Sequence, residues 1–357
     1  MNRFLLFIVL MSCANMVRSN SLIDSALVNH CRKAFYETVS PYEDETHGGS
    51  IIVSETETGN IKALINFNRH GIDGWSENAS TDCFVPALNS PLAIYLALLD
   101  AGANPNDYFY TNGTLLDERS GIIVRDWNYR YGGVGNISIS RAYERSKVAL
   151  VEACEQFFAR SMATAAFHLS HTGIYLGDED ESLTNYQSYY ERYEDTTWQP
   201  LSLLGVYDKL KVIQIHMFTS GLANEGKLLM PRLEDSAPDS IIYESMANPK
   251  YIESVRKSMR ENVLYGLSHK AKVNGVYVCG FSNVSDPNGS YEQTSLFTGF
   301  GDKYTITVTI NMFAQNALIR ILPQEIAASI FDVLLHKSKN NFTRKPPKIY
   351  KPHRAEK

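Results

Sequence analysis

The chain of 357 residues is 44% hydrophobic, which supplies a large core and excludes a disordered polymer. Its 34 Lys and Arg against 39 Asp and Glu leave a formal net charge of −5, so there is no basic field to attract a polyphosphate. With no zinc-type Cys/His spacing and no Gly-rich phosphate loop, nucleic-acid partners, nucleotides and cofactors drop out of the reading.

Asn2-Arg3 precedes the apolar run Phe4 to Met11, the n-region and h-region of an export signal that occupies residues 1–20. The run is far below the roughly 20 apolar residues that a bilayer-spanning helix needs. Leu10-Met11-Ser12-Cys13 resembles a bacterial lipobox, in which Cys13 would carry the lipid; cleavage nearby, for example after Ser19, is the alternative. Either outcome places the mature chain in the periplasm or cell envelope, touching the membrane only through a lipid anchor. Cys31, Cys83, Cys154 and Cys279 are widely spaced in apolar surroundings and read as free thiols.

Helical apolar spacing from Ser21 to Val39 gives way to strands at Ser50–Ser54 and Ile61–Phe67. The turn sequence Glu57-Thr58-Gly59-Asn60 between them predicts an antiparallel hairpin. A helical insert follows over about residues 85–265, with helices at Pro91–Ala101, Ser140–Leu169, Tyr207–Asn224 and Tyr251–Leu264. Within it, Gly177–Trp198 is acidic and tyrosine-rich and reads as a solvated insertion, with partner binding as the sharper reading. Strands return at Gly275–Phe281, Gln293–Thr298 and Lys303–Phe313, and a helix spans Pro323–Leu335. Residues 337–357 form a basic, Pro-containing tail of disordered character.

That order, with several local segments, resembles the serine transpeptidase domains of penicillin-binding proteins over residues 21–336. Gly49-Ser50-Ile51-Ile52-Val53 through Thr58-Gly59-Asn60-Ile61-Lys62-Ala63 is similar to the family's first hairpin. Leu96 to Gly102 resembles the helix after the nucleophile, and Ile137 to Ala149 the approach to the second motif. Leu222-Ala223-Asn224-Glu225-Gly226 through Pro231 resembles the Ala-Asn-x-Gly segment of class B members, and Ser295–Val308 the paired strands after the third motif. The resemblance implies an α+β fold with a five-stranded antiparallel sheet flanked by helices and a helical subdomain.

Acylation in that family needs a Ser activated by a Lys one helical turn on, a Ser/Asn pair, and a Lys-Thr/Ser-Gly strand. Counted from Ala97–Gly102, the Ser position falls on Leu88 and the Lys position on Pro91. The second motif falls on Arg145-Ser146-Lys147, where Lys147 could hold an anion, and the third on Phe281-Ser282-Asn283. Ser90 is the one candidate for a displaced nucleophile, but a shift of two residues turns a helical side chain by roughly 200°, and Ser before Pro reads better as a helix cap. The true SxxK string, Ser254-Val255-Arg256-Lys257, lies late in the chain and reads as a solvated helix face. His70, His168, His171 and His216 lack catalytic context, and Asp178–Glu181 lacks the Gly of a calcium loop.

The expected function is therefore a non-catalytic, transpeptidase-like envelope protein that binds a peptidoglycan stem peptide or a cell-wall enzyme. The enzymatic alternative is a divergent D,D-transpeptidase or carboxypeptidase that uses Ser90, Ser146 or Ser282.

Overall fold

The structure, a computed structural model, describes residues 21–336 apart from 72–73, 117–122, 127, 158–208, 236–239, 286–291 and 314–316. The expected export signal with Cys13, the acidic stretch Gly177–Trp198 with Asp178–Glu181, His168, His171 and the tail from Lys337 lie outside the described residues.

Helix α1 (Ser25–Val39) starts on Asp24, whose carboxylate accepts the Ala26 and Leu27 N–H groups. Strands β1 (Thr46–Glu55) and β2 (Ile61–Arg69) form the expected hairpin, and β3 (Trp75–Asn78) pairs with the end of β2. The helical subdomain opens with β4 (Phe84–Pro86) and α2 (Ser90–Asp100). Next come β5 (Tyr108–Thr111), β6 (Thr114–Leu116), β7 (Ile123–Arg125) and β8 (Gly135–Ser138), in two small ribbons, β5 with β8 and β6 with β7. It continues through α3 (Ile139–Arg145), α4 (Lys147–Gln156), β9 (Lys209–Lys211), α5 (Val212–Ala223), β10 (Leu228–Leu229), β11 (Ile241–Tyr243) and α6 (Pro249–Tyr265). Strands β12 (Cys279–Val284), β13 (Gln293–Phe300) and β14 (Tyr304–Met312) then complete the sheet, and α7 (Leu322–Leu335) closes the fold.

The main sheet has the order β12-β13-β14-β1-β2-β3, so both chain ends share it through the β1–β14 pairing. The five expected strands are all present, and the short β3 adds a sixth at one edge. Among the boundaries that differ from expectation, three bear on the site. The strand expected over Gly275–Phe281 runs Cys279–Val284, which puts Ser282 and Asn283 inside it. The helix expected from Tyr207 begins at Val212, because Lys209–Lys211 pairs with Phe84–Pro86 instead. The long helix expected from Ser140 breaks at Ser146, which is extended (φ −153°, ψ 107°) and caps the second piece by accepting the Ala149 N–H at 2.8 Å.

Strand alternation gives the sheet two unlike faces. One carries Ile51, Val53, Ile65, Phe67, Ile306, Val308 and Ile310, packed beneath α1 and α7. Here Phe35 stacks on Phe67 with centroids 3.8 Å apart, and a Cβ at Gly49 would come within 2.8 Å of the Phe35 ring, so the close approach needs glycine.

The other face is rich in hydroxyls and lies beneath α5. Ser54 Oγ meets His216 Nε2 at 2.8 Å, His216 Nδ1 meets Thr307 Oγ1 at 3.1 Å, and Thr307 bonds Thr298 at 2.8 Å. Thr298 donates onward to Thr219 Oγ1 at 2.8 Å, and Thr219 donates to the Ile215 carbonyl. A neutral imidazole, with one donor and one acceptor nitrogen, suits such a chain. His216 is therefore a structural group, and burial holds its pKa down to about 3.

Because the folded imidazole takes up its proton only near pH 3, the unfolded chain protonates first as the pH falls below His216's ordinary 6.5. Stability is fully present above that value and declines through the window beneath it, by about 2 kcal/mol at pH 5 from this group. Denaturant titrations of wild type and His216→Gln at neutral pH and at pH 5 check this, with the variant losing less stability on acidification.

Candidate active-site cleft

Three chain segments converge between the sheet edge and the helical subdomain: the turn before α2, the α3–α4 junction and β12. In the turn, Leu88 N–H donates to the Pro86 carbonyl at 2.6 Å, and Ser90 Oγ donates to the Ala87 carbonyl at 2.7 Å. Asn89 is the residue before the helix and Ser90 its first member, so Ser90 does not serve as the expected cap; its hydroxyl closes the turn as a donor. Leu88 is 1% exposed, and Pro91 and Ser90 are buried with it.

The junction is equally occupied. Ser146 Oγ accepts the Ala149 N–H and donates to the Asp126 carboxylate. Arg145 reaches outward and pairs with the buried Glu144 at 3.4 Å; Glu144 also pairs with Arg141 and accepts the Leu267 N–H at 3.1 Å. Lys147 is half-buried at the start of α4 and engaged in contacts there.

On β12, Phe281 is 1% exposed and packs on Tyr143 with centroids 5.7 Å apart; Tyr143 stacks on Tyr95 at 5.2 Å and 7°. Tyr95 closes the stack by a 2.9 Å hydrogen bond with Ser258. Burial pushes the Tyr95 phenol up to about 12 and the Tyr143 phenol well above its ordinary range, so neither ionises at neutral pH. Ser282 Oγ accepts from Ser268 Oγ at 2.9 Å, beneath the strand. Asn283 spans the gap: its Nδ2 donates to the Leu88 carbonyl at 2.8 Å, and its Oδ1 accepts the Val284 N–H at 2.9 Å. The positions counted for the first and third motifs are thus in direct contact through Asn283 and Leu88, and α3 joins their segments through Tyr143.

Comparison with known proteins decides the family. The model of the penicillin-binding protein transpeptidase domain matches residues 49–336. The chain belongs to the penicillin-binding protein transpeptidase domain family. Among solved structures it is similar to the apo transpeptidase domain of Burkholderia pseudomallei penicillin-binding protein 3, with TM-score 0.66 and 16% identity over 92% of this chain and 98% of that one. It is likewise similar to a peptidoglycan glycosyltransferase from Burkholderia ambifaria (TM-score 0.63, 16% identity, 90% and 99% covered). A third is a peptidoglycan synthetase from Bifidobacterium adolescentis (TM-score 0.64, 16% identity, 91% and 63% covered). Comparison with curated proteins found no match.

In this transpeptidase domain the remaining sequence candidates sit elsewhere. Ser254 Oγ donates to the Lys250 carbonyl along α6, with Lys257 exposed, so the SxxK string is a helix face. His70 bonds Ser76 at the surface. Sequence reasoning missed Tyr95 and Tyr143, which read as ordinary members of apolar helices, and Asp126, which no local pattern ties to Ser146. It also missed Asn89, a fully buried side chain whose amide oxygen and nitrogen both lack a hydrogen-bond partner among the described residues.

The contacts across the cleft make two substitutions informative. Asn283→Ala strips the Leu88 carbonyl and Val284 N–H of their partner and costs about 1–3 kcal/mol. Phe281→Ala empties the end of the aromatic stack and costs about 3–5 kcal/mol. Equilibrium unfolding in denaturant reads both.

Proposed function

We propose that this protein is a non-catalytic penicillin-binding-protein-like component of the cell envelope that binds peptidoglycan or a cell-wall enzyme. The observation that carries this reading is the burial of Leu88 and Phe281 in one apolar core, with Pro91 buried at the start of α2, at the positions matched to the nucleophile, the substrate-pairing cation and the base. Acyl transfer requires an accessible hydroxyl beside a proton acceptor. Leucine, proline and phenylalanine supply neither.

The serines available to a divergent enzyme do not favour that alternative. Ser90, Ser146 and Ser282 are each at most 3% exposed. Ser90 and Ser146 donate their protons to a carbonyl and a carboxylate, and Ser282 accepts from Ser268. Envelope location follows from the family's usual setting together with the export signal read in residues 1–20. Among the described residues, no helix is long and apolar enough to cross a membrane.

The test is intact-mass spectrometry of the purified protein after incubation with benzylpenicillin. The expected spectrum shows the unmodified mass only. A covalent adduct would overturn the non-catalytic reading, and peptide mapping of that adduct would then name the serine.

A further inference from the structure

Two Asn-Gly pairs lie among the described residues: Asn112-Gly113 at the corner between β5 and β6, and Asn274-Gly275 ahead of β12. Glycine has no Cβ, so its backbone nitrogen is open to approach by the preceding side-chain carbonyl. Both asparagines are exposed, and both glycines have φ +73°. Hydrogen bonding is what separates the two pairs.

At the corner, Gly113 N–H donates to Thr111 Oγ1 at 3.1 Å, and Thr114 N–H donates to Asn112 Oδ1 at 2.9 Å. Thr111 is buried, and its hydroxyl donates to the Glu152 carboxyl of α4, the helix that packs on β5. Burial raises the pKa of that carboxyl against the opposing effect of the Thr111 bond, so it accepts a proton more readily than an ordinary glutamate. The backbone is tightly placed as well, since a Cβ on Gly113 would come within 3.0 Å of Gly133 Cα. Neither bond has a counterpart at Asn274-Gly275 among the described residues, where the Asn274 main-chain carbonyl accepts from His336 Nε2 at 2.7 Å.

We infer that Asn112-Gly113 is a self-modification site, at which the Gly113 nitrogen attacks the Asn112 side-chain carbonyl carbon and the asparagine becomes an aspartyl or isoaspartyl residue. This goes beyond the reading of a non-catalytic envelope protein and does not depend on it. As the new N–Cγ bond forms, the Gly113 proton passes to Thr111 Oγ1 and the Thr111 proton to the Glu152 carboxylate. The negative charge that develops on Asn112 Oδ1 is met by the Thr114 N–H. The Cγ–Nδ2 bond then breaks, and the amide nitrogen leaves as ammonia with a proton from solvent, which also regenerates the Glu152 carboxylate. Water opens the resulting succinimide at either carbonyl. One water is consumed and one ammonia released, with no oxidant, metal or second enzyme. The position matters to the cleft: the Gly113 carbonyl accepts the Asp126 N–H at 2.9 Å, and the Asp126 carboxylate takes the Ser146 hydroxyl of the α3–α4 junction. An isoaspartyl linkage inserts an extra backbone carbon beside that chain of bonds.

Peptide mapping by mass spectrometry of the folded full chain, incubated at neutral pH, tests the assignment. The succinimide is lighter than asparagine by one ammonia, and the opened products differ from it as an acid from an amide. In wild type, products are expected to accumulate at position 112 about tenfold or more faster than at Asn274, and the two rates converge in strong denaturant. Thr111→Val is expected to slow position 112 by about tenfold and leave Asn274 unchanged, whereas Thr111→Ser, which keeps the hydroxyl, retains the wild-type rate. Glu152→Gln is expected to slow the same position, with Glu152→Asp restoring part of the rate, and circular dichroism confirms that each variant is folded. An intact Asn112, a wild-type rate no higher than at Asn274, or a folded Thr111→Val that reacts as fast as wild type would overturn the inference. The comparison with Asn274 needs wild type alone, so it decides even where a variant does not fold.

Discussion

The side chain of Asn283 ties the edge strand to the first helix of the subdomain, and the packing of the converging segments depends on that tie. Its amide satisfies the Leu88 carbonyl on one side and the Val284 N–H on the other, both inside a region with little access to water. A buried carbonyl left without a partner is costly, so the bond fixes the distance between β12 and the α2 turn more firmly than its own modest net strength implies. Around it Leu88, Phe281, Tyr143 and Tyr95 belong to one apolar core.

Substitution at the motif positions changes the energetic character of the region. A lysine amine beside a serine, or a cation on an edge strand, pays a desolvation penalty that only catalysis or substrate binding justifies. Leu88, Pro91 and Phe281 are buried without that penalty, and apolar burial gains about 25 cal/mol for each Å² removed from water. Helix α2 is buried along nearly its whole length, which suits a helix at the centre of a core.

Much of the fold was legible because its signals are periodic. The hairpin of β1 and β2, the closing strands and α7 follow from alternation or helical spacing, and their order pointed to one family. Two of the misplaced boundaries have identifiable causes. The break at Ser146 comes from a serine that caps its own downstream helix and reaches Asp126. The start of α5 is delayed because Lys209–Lys211 pairs with Phe84–Pro86, more than a hundred residues earlier. At the cleft, counting from Ala97–Gly102 pointed to Leu88 and Pro91, which the structure places at the start of α2. The aromatic packing there could not be read, since Tyr143 meets Tyr95 and Phe281 only once three segments have converged.

Asn89 is the polar exception in this packing. It stands between Leu88 and Ser90, fully buried, with neither amide atom paired among the described residues, and such a group costs on the order of 1–3 kcal/mol. A region selected for stability alone would carry an apolar residue or a capping oxygen there, as Asp24 does for α1. Strained or unsatisfied groups cluster where a fold once served or still serves chemistry. The turn before α2 therefore combines apolar packing at Leu88 and Pro91 with one buried amide that the packing leaves unpaired among the described residues.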